Sequence, residues 1–164
     1  FGSIFSIMWV KLSQIGKNPS IPLKFCFGIV QLALGFLLTK LGFQFVNEAY
    51  QVPILTLVFL YMLHTSGELF LSPIGLSMVT KLSPKSMAGT AMGAWFLSFA
   101  IANYAGGKIA AITGGHGGGE VVSAEAGLLQ YLDVFSTIGY VLLVIAAIIF
   151  LLNKPIKKLM HGVE

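Results

Sequence analysis

Apolar residues in this chain come in runs too long for a soluble core, and short polar breaks separate them. The runs cover 1–12, 21–46, 52–82, 85–112 and 126–153. A helix needs roughly 20 mainly apolar residues to cross a bilayer. Four runs reach that length and the first is about half of it. The pattern predicts an all-α polytopic membrane protein with four full helices and one partial helix.

The breaks carry the punctuation expected of turns. SQIGKNPS after the first run contains Gly16 and Asn18-Pro19, and Pro22 suits the first turn of the next helix, where a missing N–H is harmless. NEAYQ at 47–51 reads as a tight acidic turn, and Ser83-Pro84-Lys85 as another. The stretch 113–125, TGGHGGGEVVSAE, reads as a glycine-rich external loop, and 154–164 as a basic cytoplasmic tail. Trp9 and Lys11 look like an interfacial anchor closing the first run. Phe1 lies inside an apolar run without a basic flank, so the expectation is a piece of a longer polytopic protein.

Composition strengthens the membrane reading. The 164 residues are 56% hydrophobic and only 10% charged, with a mean hydropathy of +0.88. Soluble domains carry about 25% charged residues. The formal charge of +4 does not point to nucleic acid, because every basic residue is lysine and no basic patch with interleaved aromatics occurs. The lysines instead orient the helices. Lys11, Lys17 and Lys24 flank one connection, Lys81 and Lys85 a second, and Lys154, Lys157 and Lys158 the tail, while the intervening connections hold Glu48, Glu120 and Glu125. Alternation of this kind predicts lysine-rich ends in the cytoplasm, the C-terminus included; Lys40 and Lys108 run against it. The lone Cys26 forms no internal disulfide or cysteine metal site and reads as a packing residue.

The candidate chemistry centres on Glu68, the one carboxylate deep in an apolar run. A charge near the bilayer centre costs about 2.5–3.5 kcal/mol on insertion scales, so a cavity-facing functional role is its default reading. His64, Glu68 and Ser72 recur every four residues and share a helix face, with Tyr61, Thr65 and Gly75 nearby. The alternative is polar contact between helices; it has equal weight for Ser72 and for His64, which could otherwise share a proton with Glu68. Gly67, Pro73 and Gly75 are residues that bend or break a membrane helix beside a site. On the following run, Gly89 and Gly93 form a small-xxx-small pair, Trp95 lies at depth as core filler or cavity wall, and Asn103 is a further cavity candidate whose interhelical bonding is the plainer reading. GGHGGG lacks the Lys-Ser/Thr of a phosphate loop, one histidine makes no metal site, and no nucleophile–base pair suggests an enzyme.

The segment from Gly67 to Gly107, GELFLSPIGLSMVTKLSPKSMAGTAMGAWFLSFAIANYAGG, resembles helices 10 and 11 of the proton-dependent oligopeptide transporters, the POT or PTR branch of the major facilitator superfamily. NPSIPLKFCFGIVQLALGF resembles that family's loop 8–9 and helix 9. The resemblance implies that the chain runs from the end of helix 8 to helix 12 of a di- and tripeptide:proton symporter working by alternating access. By that likeness Glu68 corresponds to a glutamate that meets the peptide's amino end and a gating lysine, Ser72 to a cavity-lining position, and Trp95 to the wall of a side-chain pocket. It implies no cofactor beyond the coupling proton, and as partners the peptide, the bilayer and the absent N-terminal half. Two rivals remain: a facilitator for nitrate, a sugar or a drug, and a membrane domain used only for assembly.

Overall fold

The structure is a computed structural model and describes residues 2–113 and 123–161. It contains α1 (Gly2–Gln14), α2 (Ile21–Phe43), α3 (Ile54–Leu82), α4 (Ala88–Thr113) and α5 (Ala124–Leu159). Among the described residues there is no strand. Three helices, α2, α3 and α5, are long and apolar enough to cross a membrane. α4 has the length, 26 residues, but Gly, Ser, Thr and Asn dilute its hydropathy.

The helix ends differ from the sequence expectation where local chemistry intervenes. α2 stops at Phe43 instead of continuing to 46, because the chain tightens there: the Gln44 N–H reaches Leu41 O and Gly42 O, and the Phe45 N–H reaches Gly42 O. The next turn is built by Asn47, whose Oδ1 accepts from the N–H groups of Ala49 and Gln51 at 3.0 and 2.9 Å. Tyr50 adopts a φ of 57° in that turn. α3 starts at Ile54, after Pro53, rather than at 52. Lys85–Met87 form a single 3-10 turn that leads into α4.

α5 is longer than the apolar run at both ends. Ser123 caps its start, the Oγ accepting from the Ala126 N–H, and Glu125 in the first turn suits the positive end of the helix dipole. At the other end the helix passes Pro155 and continues to Leu159, so the first six residues of the expected tail are helical. The proline removes one N–H, and buried Met160 closes the helix by donating to Ile156 O and Lys157 O. Of the expected glycine-rich loop, 114–122 lie outside the described residues, among them His116 and Glu120.

α2 is the hub, packed along most of its length against α5 on one side and α3 on the other. Glycine permits both contacts. A Cβ at Gly67 would come 2.8 Å from the Gly28 carbonyl oxygen, so only hydrogen fits where α3 crosses α2. On the α5 side a Cβ at Gly139 would meet Leu37 at 2.8 Å, and the Cys26 Sγ donates to Ala146 O at 3.4 Å. Cys26 is thus a buried packing residue, as expected from its surroundings.

Side chains tie the bundle at both ends. Ser20 Oγ donates to Asn153 Oδ1 at 2.5 Å, joining the start of α2 to the far part of α5. At the opposite end Tyr50 Oη donates to Glu125 Oε2 at 3.0 Å. That bond to a carboxylate, with the carboxylate's charge, pushes the Tyr50 hydroxyl pKa up. α1 joins through rings: Phe5 and Trp9 stand edge-on to Phe70 at 4.8 and 5.1 Å, and the ammonium of buried Lys24 lies 4.9 Å from the Trp9 ring.

Candidate functional site

Glu68 lies fourteen residues from either end of α3. At 1.5 Å per residue this puts it about 21 Å from each end, near the middle of the span. The helix is continuous through Gly67, Pro73 and Gly75, so these residues do not break it. The two glycines serve close packing: Gly67 meets α2, and Gly75 leaves the space filled by the Trp95 ring. Pro73 is exposed, and the loss of its N–H is absorbed without ending the helix.

A cavity of about 740 Å³ opens between α2, α3 and α4. α3 contributes Tyr61, His64, Thr65, Glu68, Leu71 and Ser72. α4 contributes Trp95, Ser98, Phe99 and Ala102, and α2 contributes Phe25, Ile29 and Leu32. Each set repeats at three and four residues, so each is one face of its helix. The lining is mostly apolar, with Glu68 its only carboxylate among the described residues. A pocket of this size and character, with a few converging polar groups, is the usual form of a small-molecule site.

Four of the five residues singled out from sequence meet here: His64, Glu68, Ser72 and Trp95. The Glu68 side chain is exposed to the cavity and forms no ion pair among the described residues. Its carboxylate is free to accept an ammonium, a guanidinium or a proton. Ser72 is half-buried one turn along. Trp95 is fixed against Gly75, with its ring edge-on to Phe99 at 6.1 Å. The Trp95 ring therefore has a defined position in the wall.

His64 behaves differently from the proton-sharing partner it could have been. Its Nε2 is 3.2 Å from Leu32 O, a contact that requires the proton on Nε2. The ring lies against Phe36, centroids 4.5 Å apart and planes tilted by 57°, and fills the space over Gly35, where a Cβ would come 2.5 Å from its Cδ2. The imidazole lines the cavity while its polar edge is bonded to α2. No hydrogen bond joins it to Glu68 among the described residues.

Asn103 is outside the cavity. Its Nδ2 donates to Phe99 O at 2.8 Å on its own helix and its side chain is exposed, so it neither lines the cavity nor bridges helices. The reason is angular. Eight residues beyond Trp95 turn the helix about 80° away, whereas seven residues, at Ala102, return to within about 20° of it. Ser98, Phe99 and Ala102 could have been found from that spacing. Phe25, Ile29 and Leu32 carried no such signal, because every face of α2 is apolar. The Gly89 and Gly93 pair likewise makes no close helix contact among the described residues: a Cβ at either would meet none of their atoms within 4 Å.

Comparison with known proteins bears on this geometry. The model of the POT family (PTR2) matches residues 1–118. A dipeptide and tripeptide permease A of Edwardsiella piscicida is 37% identical over 150 residues, covering 92% of this chain and 30% of that protein. A crystal structure of a peptide transporter POT in complex with sulfate superposes with a TM-score of 0.79 at 31% identity, covering 98% of this chain and 30% of the other. A mutant peptide transporter POT in complex with alafosfalin gives a TM-score of 0.70 at 28% identity, over 98% of this chain and 30% of that one. The chain therefore spans about 30% of the length of the relatives it matches.

Proposed function

The chain belongs to the POT family, and from that premise we propose that it forms the C-terminal part of a proton-coupled transporter of di- and tripeptides. The observation that carries this reading is Glu68, a carboxylate at mid-span on the wall of a 740 Å³ cavity shared by three helices. The relatives named as di- and tripeptide permeases, and the solved transporter that holds the peptide-like alafosfalin, support the substrate class.

In this reading Glu68 binds the peptide ammonium. The low-dielectric wall of Phe25, Ile29, Leu32, Leu71 and Phe99 strengthens that attraction. Trp95 and Phe99 receive a substrate side chain on their ring faces, and Ser72 donates to a substrate carbonyl. A proton, the substrate ammonium and a lysine from the remainder of the transporter compete for the one carboxylate. Each partner favours a different opening of the cavity, so their exchange couples proton entry to peptide movement by alternating access between two halves. The lysine distribution supports a C-terminus in the cytoplasm of a bacterial inner membrane.

The test is uptake of labelled di-alanine by liposomes holding the full-length protein under an inward proton gradient. The proposal expects accumulation that a protonophore abolishes. Uptake of nitrate, a sugar or a drug with no peptide uptake would overturn the substrate class. Peptide accumulation unaffected by the protonophore would overturn the coupling.

A further inference from the structure

A second polar cavity lies away from Glu68 and shares no residue with its cavity. It holds about 500 Å³ in the groove between α2 and α5, lined by Lys40, Phe43, Gln44, Leu132, Asp133 and Ser136. Lys40 on α2 and Asp133 on α5 bring opposite charges to its two walls, and no ion pair joins them among the described residues. Ser136 is only 6% exposed, and its buried Oγ has no hydrogen-bond partner among the described residues. An unpartnered buried hydroxyl costs about 1–3 kcal/mol, which a bound polar group would offset. Lys40 is held in place by Tyr140: its Nζ donates to the Tyr140 Oη at 3.2 Å and lies 5.1 Å from the ring.

The groove turns apolar beyond these polar groups. Further along the same two helices, Cys26, Val30, Leu143, Ala146, Ala147, Phe150 and Leu151 surround a space of about 370 Å³. Between them α5 exposes Tyr140, Val141 and Val144. Lys40 and Val30 are ten residues apart on α2, or about 15 Å along the helix, which is half the thickness of the hydrocarbon core. Charged groups beside the helix end, exposed apolar residues beyond them and a separate apolar hollow about one leaflet deeper match the outline of a phospholipid.

We propose that this groove binds a zwitterionic aminophospholipid of the surrounding bilayer, with its phosphate on Lys40, its primary ammonium on Asp133 and an acyl chain along α5. The headgroup chemistry follows from the pairing of charges. Ethanolamine presents N–H donors to Asp133 and to the Ser136 oxygen, which choline lacks. A glycerol headgroup would leave Asp133 unpaired beside a phosphate. Binding therefore favours phosphatidylethanolamine over phosphatidylcholine and phosphatidylglycerol. This inference rests on the membrane assignment and is independent of which solute the Glu68 cavity carries.

Native mass spectrometry of the delipidated full-length protein, titrated separately with the three lipids, tests it. Phosphatidylethanolamine should be retained about tenfold more tightly than the other two, and Lys40→Ala with Asp133→Asn should erase that difference. Both side chains are exposed, so the variant should keep its melting temperature. Equal retention of the three lipids, or a preference that survives the double substitution, overturns the proposal. Displacement of the lipid by millimolar phosphoethanolamine overturns it too, since that marks a soluble ligand. Retention that follows the apolar residues alone, lost in Ala146→Phe but unchanged in the charge variant, overturns the headgroup assignment.

Discussion

α3 and α4 flank the same cavity, yet they are built on different terms. α3 crosses α2 so closely that Gly28 and Gly67 admit no side chain, and Gly42 and Gly35 receive Thr56 and His64 from it. α4 touches α3 through Trp95 at Gly75, and its residues 93–111 are exposed apart from that tryptophan. A Cβ at its own glycines, Gly89, Gly93, Gly106 or Gly107, would meet nothing within 4 Å among the described residues. The same residue type thus does two different things. Glycine in α2 and α3 is consumed by contact within this chain, while glycine in α4 leaves a smooth surface. Among the described residues the cavity therefore has one wall, α3, packed tightly on α2, and a second, α4, held at Trp95.

Substitutions can break that contrast directly. The largest loss should come from Gly67→Leu, which drives a branched side chain into the α2 backbone. Overpacking of a close contact costs about 1–3 kcal/mol, and a backbone neighbour has little room to yield. Melting in detergent should fall by several degrees or folded protein should be lost. Gly93→Leu should move the α2–α3–α5 core by no more than about 0.5 kcal/mol, in the range of ordinary surface changes. Equal destabilisation by the two would erase the distinction between the walls.

A milder effect is expected at the ends of the bundle. Asn153→Ala removes the partner of the Ser20 hydroxyl and should cost about 1 kcal/mol, a typical net hydrogen bond. Asn103→Ala should be nearly silent in both melting and transport, since its amide bonds only to its own helix. Weaker still is the pH dependence of the Tyr50–Glu125 contact. The Tyr50 pKa is raised in the fold above its ordinary 10.0, so the contact contributes at lower pH and is lost as pH rises through the tyrosine range. Tyr50→Phe should remove that alkaline sensitivity by melting slightly lower near neutrality, at the level the native protein reaches only at alkaline pH.

What was legible in the sequence divides along the same line. The spans and Glu68, Ser72 and Trp95 could be read because each is a chemical exception inside an apolar run, and exceptions survive without knowledge of the packing. That Glu68 and Ser72 share a face follows from helix periodicity, whereas Trp95 joins them through its contact with Gly75. The packing itself was not legible. The small-residue pair at Gly89 and Gly93 matched the pattern of a helix contact, but the contact was made by Gly28 and Gly67, a glycine pair split between two helices. His64 was readable as polar and deep, but its bond to the Leu32 carbonyl depends on how α2 and α3 cross. The last helix was bounded at 153, where the apolar run gives way to a basic tail, whereas α5 passes Pro155 with the loss of one bond and continues to Leu159.

In the proposed transporter Glu68 couples proton movement to peptide movement from the α3 wall of the cavity. Glu68→Gln keeps the volume of the side chain and removes its titration, so two transport modes measured on one liposome preparation test the claim. The account predicts that proton-driven uptake of di-alanine falls at least about tenfold relative to the native protein, while peptide counterflow, which needs no net proton movement, falls much less. Undiminished proton-driven accumulation by Glu68→Gln would contradict it.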